Sequence, residues 1–224
     1  WVDYWELSNR LPSASQAELD AFYARWPATY VEDRLRNDWL LELGKRRDWA
    51  NLSREYPRFR MNDDPEVSCY ALLQEHQSAA EAGKAAPASF KPRALQAWFD
   101  QRDADDGCQL MATSLVEAKV FTAADAWRRS RVAIEQNRLR VARHAANLAA
   151  PAAQASVAAA LDNPARYLVS GNAAASGRTQ AEIATMALVR LAFTDAVFAA
   201  GQLAERWQAR LPADLSAWAW ARTG

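Results

Sequence analysis

The feature that most constrains this chain is its punctuation. Helix starts and stops recur roughly every 15 to 20 residues, and no window alternates apolar and polar residues for the length of a strand. Ser15-Gln16-Ala17-Glu18 is a capping box, with Ser15 set to accept from the N3 amide and Glu18 to reach back. The helix it opens places Leu19, Phe22, Tyr23 and Trp26 on one stripe before Pro27. A second helix is predicted from about Tyr30 to Leu43, with Val31, Leu35, Trp39 and Leu43 on one face. Gly44 stands where a C-terminal glycine belongs, followed by Lys45, Arg46 and Arg47 at the negative end of the helix dipole. Asp48 then caps a short helix that Pro57 closes, and Asp64-Pro65 is an N-cap with proline at N1.

The second half repeats the pattern. Helices are predicted near Pro92 and Gly107, and another follows the start signal Thr122-Ala123-Ala124-Asp125. Two more cover Asn137 to Ala149 and Pro151 to Leu161. Ser170 to Gly177 reads as a polar break of small residues. Thr179-Gln180-Ala181-Glu182 is a further capping box, and Thr194 is placed to cap the helix that carries Val197, Phe198, Leu203 and Trp207. The composition agrees: there are 50 alanines, the best helix former, and only 7 glycines. The fold class is therefore all-α. Short helices of similar length, each with one or two aromatics plus Ala and Leu, favour an α-solenoid of antiparallel hairpins over a closed bundle. No strict period is visible, so any repeats are degenerate. Residues 1–224 are read as part of one superhelical domain with both ends cut.

Charge and motif content exclude several function classes. The 27 basic and 27 acidic side chains cancel, which gives the whole chain no long-range pull toward nucleic acid or an anionic membrane. No apolar run is long enough to span a bilayer. His76 and His144 stand apart, outside any metal-ligand spacing, so no metal or cofactor is expected. Phosphate-cradling glycine loops and nucleophile elbows are absent. Asp103, Asp105 and Asp106 before Gly107 read as a solvated acidic loop. Arg128, Arg129, Arg131, Arg138, Arg140 and Arg143 read as a solvated helical face laced with Glu135; the functional alternative is a contact for an anionic polymer or a partner domain.

Ten tryptophans are many for this length. Exposed indoles can stack on sugar rings, but Trp39, Trp49, Trp98, Trp127 and Trp207 sit on apolar helical stripes and are expected in the core. Trp218 and Trp220 are two apart, so they cannot both face one core, and one of them is expected to pack on something outside this chain. The only cysteines are Cys69 and Cys108. They are buried thiols in a reducing compartment or a disulfide in an oxidising one, and sequence alone leaves both open.

Several segments together resemble a known family. Asp33-Arg34-Leu35-Arg36-Asn37-Asp38-Trp39-Leu40 through Leu43-Gly44-Lys45-Arg46-Arg47-Asp48-Trp49, with Tyr4-Trp5-Glu6-Leu7, Tyr56-Pro57 and Cys69-Tyr70-Ala71, resemble the N-terminal superhelical domain of soluble lytic murein transglycosylases. The resemblance is strongest over roughly residues 1 to 130 and rests on helix order and composition beyond that. It implies a horseshoe of α-hairpins, a periplasmic location, peptidoglycan glycan strands as the parent enzyme's substrate, and linker and lysozyme-like domains as partners in the same protein. In that family one Glu, followed by Ser, protonates the bond between N-acetylmuramic acid and N-acetylglucosamine. It then acts as base, giving a 1,6-anhydro product. No Glu-Ser dipeptide occurs here, so the resemblance assigns no catalytic residue to this chain. It does imply that Cys69 and Cys108 pair. The resulting expectation is an inactive scaffold that guides substrate. The rivals are a helical-repeat adaptor for a protein partner and a small all-α enzyme with an unrecognised carboxylate.

Overall fold

The computed structural model describes residues 1–170 and 177–223; the small-residue break assigned to Ser170–Gly177 thus lies largely outside the described residues. Among the described residues the chain is all-α, with fourteen α-helices, a few short helical turns and no strand. It divides into two compact units, each with its own core.

The first unit comprises Trp1–Gln101 and Asp105–Ser114. It holds α1 (Val2–Ser8), α2 (Gln16–Arg25), α3 (Tyr30–Arg46), α4 (Trp49–Glu55), α5 (Pro65–Glu81), α6 (Phe90–Asp100) and most of α7 (Asp106–Glu117). Its starts follow the predicted chemistry. Ser15 and Glu18 form the reciprocal capping box, Asp48 accepts from the Asn51 amide, and Asp64 accepts from Glu66 and Val67. Leu19, Leu35, Leu40, Leu43, Leu52, Val67 and Tyr70 close the core. Trp39 is buried within it and donates its indole N–H to Gln16 Oε1 at 2.9 Å. Two α3 side chains hold the loop before α5. Asp33 accepts from the amides of Arg60 at 3.0 Å and Met61 at 2.7 Å, while Asn37 donates to Asp64 at 3.1 Å.

The second unit comprises Arg102–Ala104 and Leu115–Gly224. It holds α8 (Ala123–Glu135), α9 (Leu139–Ala149), α10 (Gln154–Asp162), α11 (Pro164–Val169), α12 (Arg178–Ala192), α13 (Ala196–Gln202) and α14 (Ala213–Thr223). Thr122 and Asp125 form the predicted box at the start of α8. α8 and α9 are an antiparallel hairpin whose small residues Ala133, Ala142 and Ala146 are fully buried, which lets the backbones approach closely. The buried Ser130 hydroxyl donates to the Ala142 carbonyl across the hairpin at 3.0 Å. α12 is buried along most of its length, from Ala181 to Leu191, and is the centre of the unit.

Four local expectations need correction. Gly44 does not end α3: the left-handed cap is Arg47 at φ 59°, and Gly44 lies inside the helix against the Tyr70 ring, where a Cβ would collide. The box at Thr179–Glu182 does not form, because α12 already starts at Arg178, and Glu182 is buried and held by arginines instead of reaching back. Asp195, not Thr194, caps α13; its carboxylate accepts from Phe198 at 2.9 Å, while Thr194 donates to Leu191 O at the end of α12. Trp218 and Trp220 both pack against the second core. Trp218 donates to Glu135, and Trp220 to Gln208 at 3.2 Å, so neither requires a missing partner. Both rings stay half-buried, so each gives only part of its surface to the core, which two positions about 200° apart on a helix can do.

Candidate functional site

The most ligand-like surface of the first unit is a group of exposed rings. α1 is only seven residues long and buries a single side chain, Leu7. Its other face carries Tyr4 and Trp5, and Trp1 precedes it. The Trp1 ring centroid lies 5.4 Å from Tyr4, 6.3 Å from Trp5 and 6.0 Å from Tyr30 at the start of α3. Trp1, Trp5 and Tyr30 are all more than half exposed, at 56%, 57% and 61%. Polar groups border the rings: Tyr4 donates to Asp38 at 2.6 Å, and Arg34 lies 3.7 Å from the same carboxylate. Apolar ring faces beside planar hydrogen-bonding groups suit a ligand with alternating C–H faces and hydroxyls. On the α1–α2 side is a cleft of about 350 Å³, lined by Asp3, Leu7, Arg10, Glu18, Phe22 and Arg25, whose charges are already paired with one another.

Sequence reasoning missed this group. Tyr4 and Trp5 entered only through the resemblance, and the tryptophans assigned to stripes are elsewhere. Trp39, Trp98, Trp127 and Trp207 are buried, and Trp49 is packed at the edge of the first core. The signal was the i, i+3, i+4 spacing of Trp1, Tyr4 and Trp5, a stripe with no second stripe in reach to cover it.

Cys69 on α5 and Cys108 on α7 are joined in a disulfide, with Cα atoms 4.9 Å apart and both residues fully buried. Around it lie the carboxylates read as a solvated loop, and only Asp103 fits that reading without qualification. Asp105 accepts from the Cys108 amide at 2.7 Å at the start of α7, and burial raises its pKa. Asp106 binds Arg47 at 2.8 Å and the Tyr70 hydroxyl at 2.6 Å; the Arg47 guanidinium lowers its pKa. Glu66 accepts from the Gly107 amide at 3.2 Å, yet burial outweighs that bond and raises its pKa. These groups fasten α3, α5 and α7 together. Among the described residues no group of three or more His, Cys, Asp and Glu side chains is placed to hold a metal ion, and no helix is long and apolar enough to cross a membrane.

The neutral total conceals a separation. The first unit carries 13 basic and 18 acidic side chains, a net of −5; the second carries 14 and 9, a net of +5. Buried ion pairs follow the same division. In the first unit Arg36 is buried between Glu32, at 2.6 Å, and Glu55, with its guanidinium 3.9 Å from the Tyr23 ring centroid. In the second, Glu182 is buried between Arg131, at 2.6 Å, and Arg178, at 2.9 Å. The arginine run is therefore not one solvated face. Arg129 is fully buried, Arg131 serves Glu182, and Arg143 binds Asp162 at 2.5 Å, while Arg128 and Arg140 are exposed residues.

Among the described residues the chain is an all-α fold that carries this group of exposed rings. Its likeness is to lytic transglycosylases. Lytic transglycosylase Slt from Pseudomonas aeruginosa, solved as an inactive mutant, matches 97% of this chain with 22% identity and a TM-score of 0.59. The 70-kDa soluble lytic transglycosylase SLT70 from Escherichia coli matches 99% with 16% identity and a TM-score of 0.67. The 70-kDa soluble lytic transglycosylase in complex with bulgecin A matches 99% with 16% identity and a TM-score of 0.66. In each case this chain spans 35% of the solved chain's length. No protein-family model and no curated protein matches the sequence. At these identities the likeness establishes the fold: the all-α architecture expected from the sequence is that of a segment of these enzymes.

Proposed function

We propose that residues 1–224 are part of the superhelical scaffold of a periplasmic peptidoglycan lytic transglycosylase. In this reading the segment guides glycan strands to linker and lysozyme-like domains of the same protein and has no activity alone. The observation that carries it is the fold match along 97–99% of the chain to segments of two lytic transglycosylases. The disulfide supports an oxidising compartment, and the absence of a Glu-Ser dipeptide supports chemistry located elsewhere. The exposed faces of Trp1, Trp5 and Tyr30 are the surface best suited to stack on pyranose rings, with Tyr4, Asp38 and Arg34 as hydroxyl and amide partners.

The test is to incubate the chain with purified murein sacculi, pellet them and analyse the supernatant. Co-sedimentation without release of anhydromuropeptides is expected. Release of such products would overturn the claim of inactivity, and failure to co-sediment would remove the guiding role.

A further inference from the structure

We propose that the connection between α5 and α6 is a processing site, cut after Lys84 by a lysine- or arginine-directed endoprotease, and that the product is a two-chain protein still joined through Cys69–Cys108. From Glu81 to Ser89 every residue is exposed except Ala86, which is partly so. Both helices are finished without this segment. The amides of Gly83 and Lys84 donate back to the carbonyls of Ala80 at 3.0 Å and Ala79 at 2.9 Å, with Gly83 at φ 62°, which closes α5. The Phe90 amide donates to the Pro87 carbonyl at 2.8 Å as α6 begins. Among the described residues the amides of Ala85 and Ala86 make no backbone hydrogen bond, and the Lys84 ammonium has no ion pair. Pro87 biases Ala86 toward extended backbone. A protease takes its substrate as an added strand, through free backbone groups of this kind, and prefers exposed loops of small and polar residues.

Other exposed basic residues between helices are held. Arg47 binds Asp106 at 2.8 Å. Arg60 donates to the Thr29 carbonyl at 2.8 Å, and its amide is fixed by Asp33 at 3.0 Å. Arg102 follows the buried Gln101, and after Lys119 the Val120 amide is bonded to the Leu115 carbonyl at 2.9 Å.

Hydrolysis of the Lys84–Ala85 bond consumes water alone: its hydroxyl goes to the Lys84 carbonyl carbon and its hydrogen to the Ala85 nitrogen. The cut lies inside the ring closed by Cys69–Cys108, which are 39 residues apart in sequence. Contacts across it are retained: Glu75 with Arg93 at 2.5 Å, His76 stacked on Phe90 at 5.6 Å, and the Tyr70 hydroxyl on Asp106 at 2.6 Å. Cutting alone leaves the pieces joined, and reduction alone leaves the chain whole. Only both together remove every covalent link between residues 1–84, which carry the exposed rings, and residues 85–224.

The experiment is limited digestion of the native chain with trypsin, followed by denaturing electrophoresis with and without reductant and by intact mass. Expected is a first cut between Lys84 and Ala85 that gives one species without reductant and two, residues 1–84 and 85–224, with it. Lys84→Gln should slow the first cut about tenfold or more, because the remaining bonds are reached only through local opening, and Lys119→Gln should leave it unchanged. Cys69→Ser/Cys108→Ser, checked for native helicity, should part after cutting without reductant. The cut native chain should keep its helicity and elute as one species. A first cut elsewhere, or a Lys84→Gln variant cut at the native rate, overturns the site. Separation of the native pieces without reductant, or loss of helicity on cutting, overturns the two-chain product.

Discussion

The two units solve the same problem with opposite charges. The first, net negative, buries an arginine between glutamates; the second, net positive, buries a glutamate between arginines. Their small residues differ too: 16 of the alanines belong to the first unit and 34 to the second. The first is therefore packed by large aromatics, cross-linked by Cys69–Cys108 and tied by polar contacts from α3. The second is packed by close helix approach around α12. The lesson is that buried ion pairs are not interchangeable. Glu55 is fully buried and Arg36 nearly so, while the arginines around Glu182 keep 22% and 46% of their side chains in water. Breaking the first leaves a charge with little access to solvent, whereas breaking the second frees side chains that can turn outward.

The sharpest way to break this comparison is Arg36→Met. It removes the nearest cation from the buried Glu55, which keeps Arg54 and Arg58 at 3.6 Å and the Gln16 amide at 3.1 Å, and is expected to cost about 3 kcal/mol in chemical denaturation, the low end for a broken buried pair, confined to the transition of the first unit. A cost below about 1 kcal/mol would show that the pair is not a buried one in the sense argued. Next comes removal of the disulfide by Cys69→Ser/Cys108→Ser. The sequence separation of 39 residues corresponds to about 4 kcal/mol in the loop-entropy model, with about 2–4 typical. Calorimetry should show the first unit melting lower and the second unchanged; a common shift would mean the units do not unfold separately.

Glu182→Gln is the counterpart in the second unit. It keeps hydrogen-bonding capacity and releases partly exposed arginines, so about 1–2 kcal/mol is expected. A loss equal to that of Arg36→Met would erase the distinction between the two networks.

The smallest effect concerns pH. Burial raises the pKa of Glu66, so the folded first unit holds that proton to higher pH than the unfolded chain does. Its stability should fall as pH rises through that raised value and recover on acidification toward the ordinary carboxylate range. Asp106 acts in the other direction: Arg47 lowers its pKa, so its contribution is present above the ordinary value and lost as pH falls through the lowered one. Glu66→Gln removes the first effect and should flatten the fall of unfolding free energy with rising pH across that window. An unchanged slope would show that Glu66 does not titrate with folding.

Much of this was legible in the residues. The capping boxes at Ser15 and Thr122 and the caps at Asp48 and Asp64 were read directly, because a cap is local chemistry between residues three apart. Where the same logic failed, a distant group had intervened. Glu182 has the spacing of a capping box with Thr179, but Arg131, 51 residues away, claims it. Gly44 looks like a helix end until Tyr70 is placed against it. The ring group of Trp1, Trp5 and Tyr30 was illegible for a related reason: whether a ring is exposed depends on what lies across from it.

The sequence by itself determined that the chain is all-α, where most helices start, which leucines line the cores and most of the tryptophans that join them, since these follow from spacing and short-range hydrogen bonding; Trp26, on the stripe of α2, is instead 39% exposed. Only the tertiary structure decided how charge is distributed. A net charge of +0 is a property of the whole chain, whereas −5 and +5 exist only once the boundary between two cores is known. Which arginine is buried, and which faces water, depends on partners that the sequence order does not bring together.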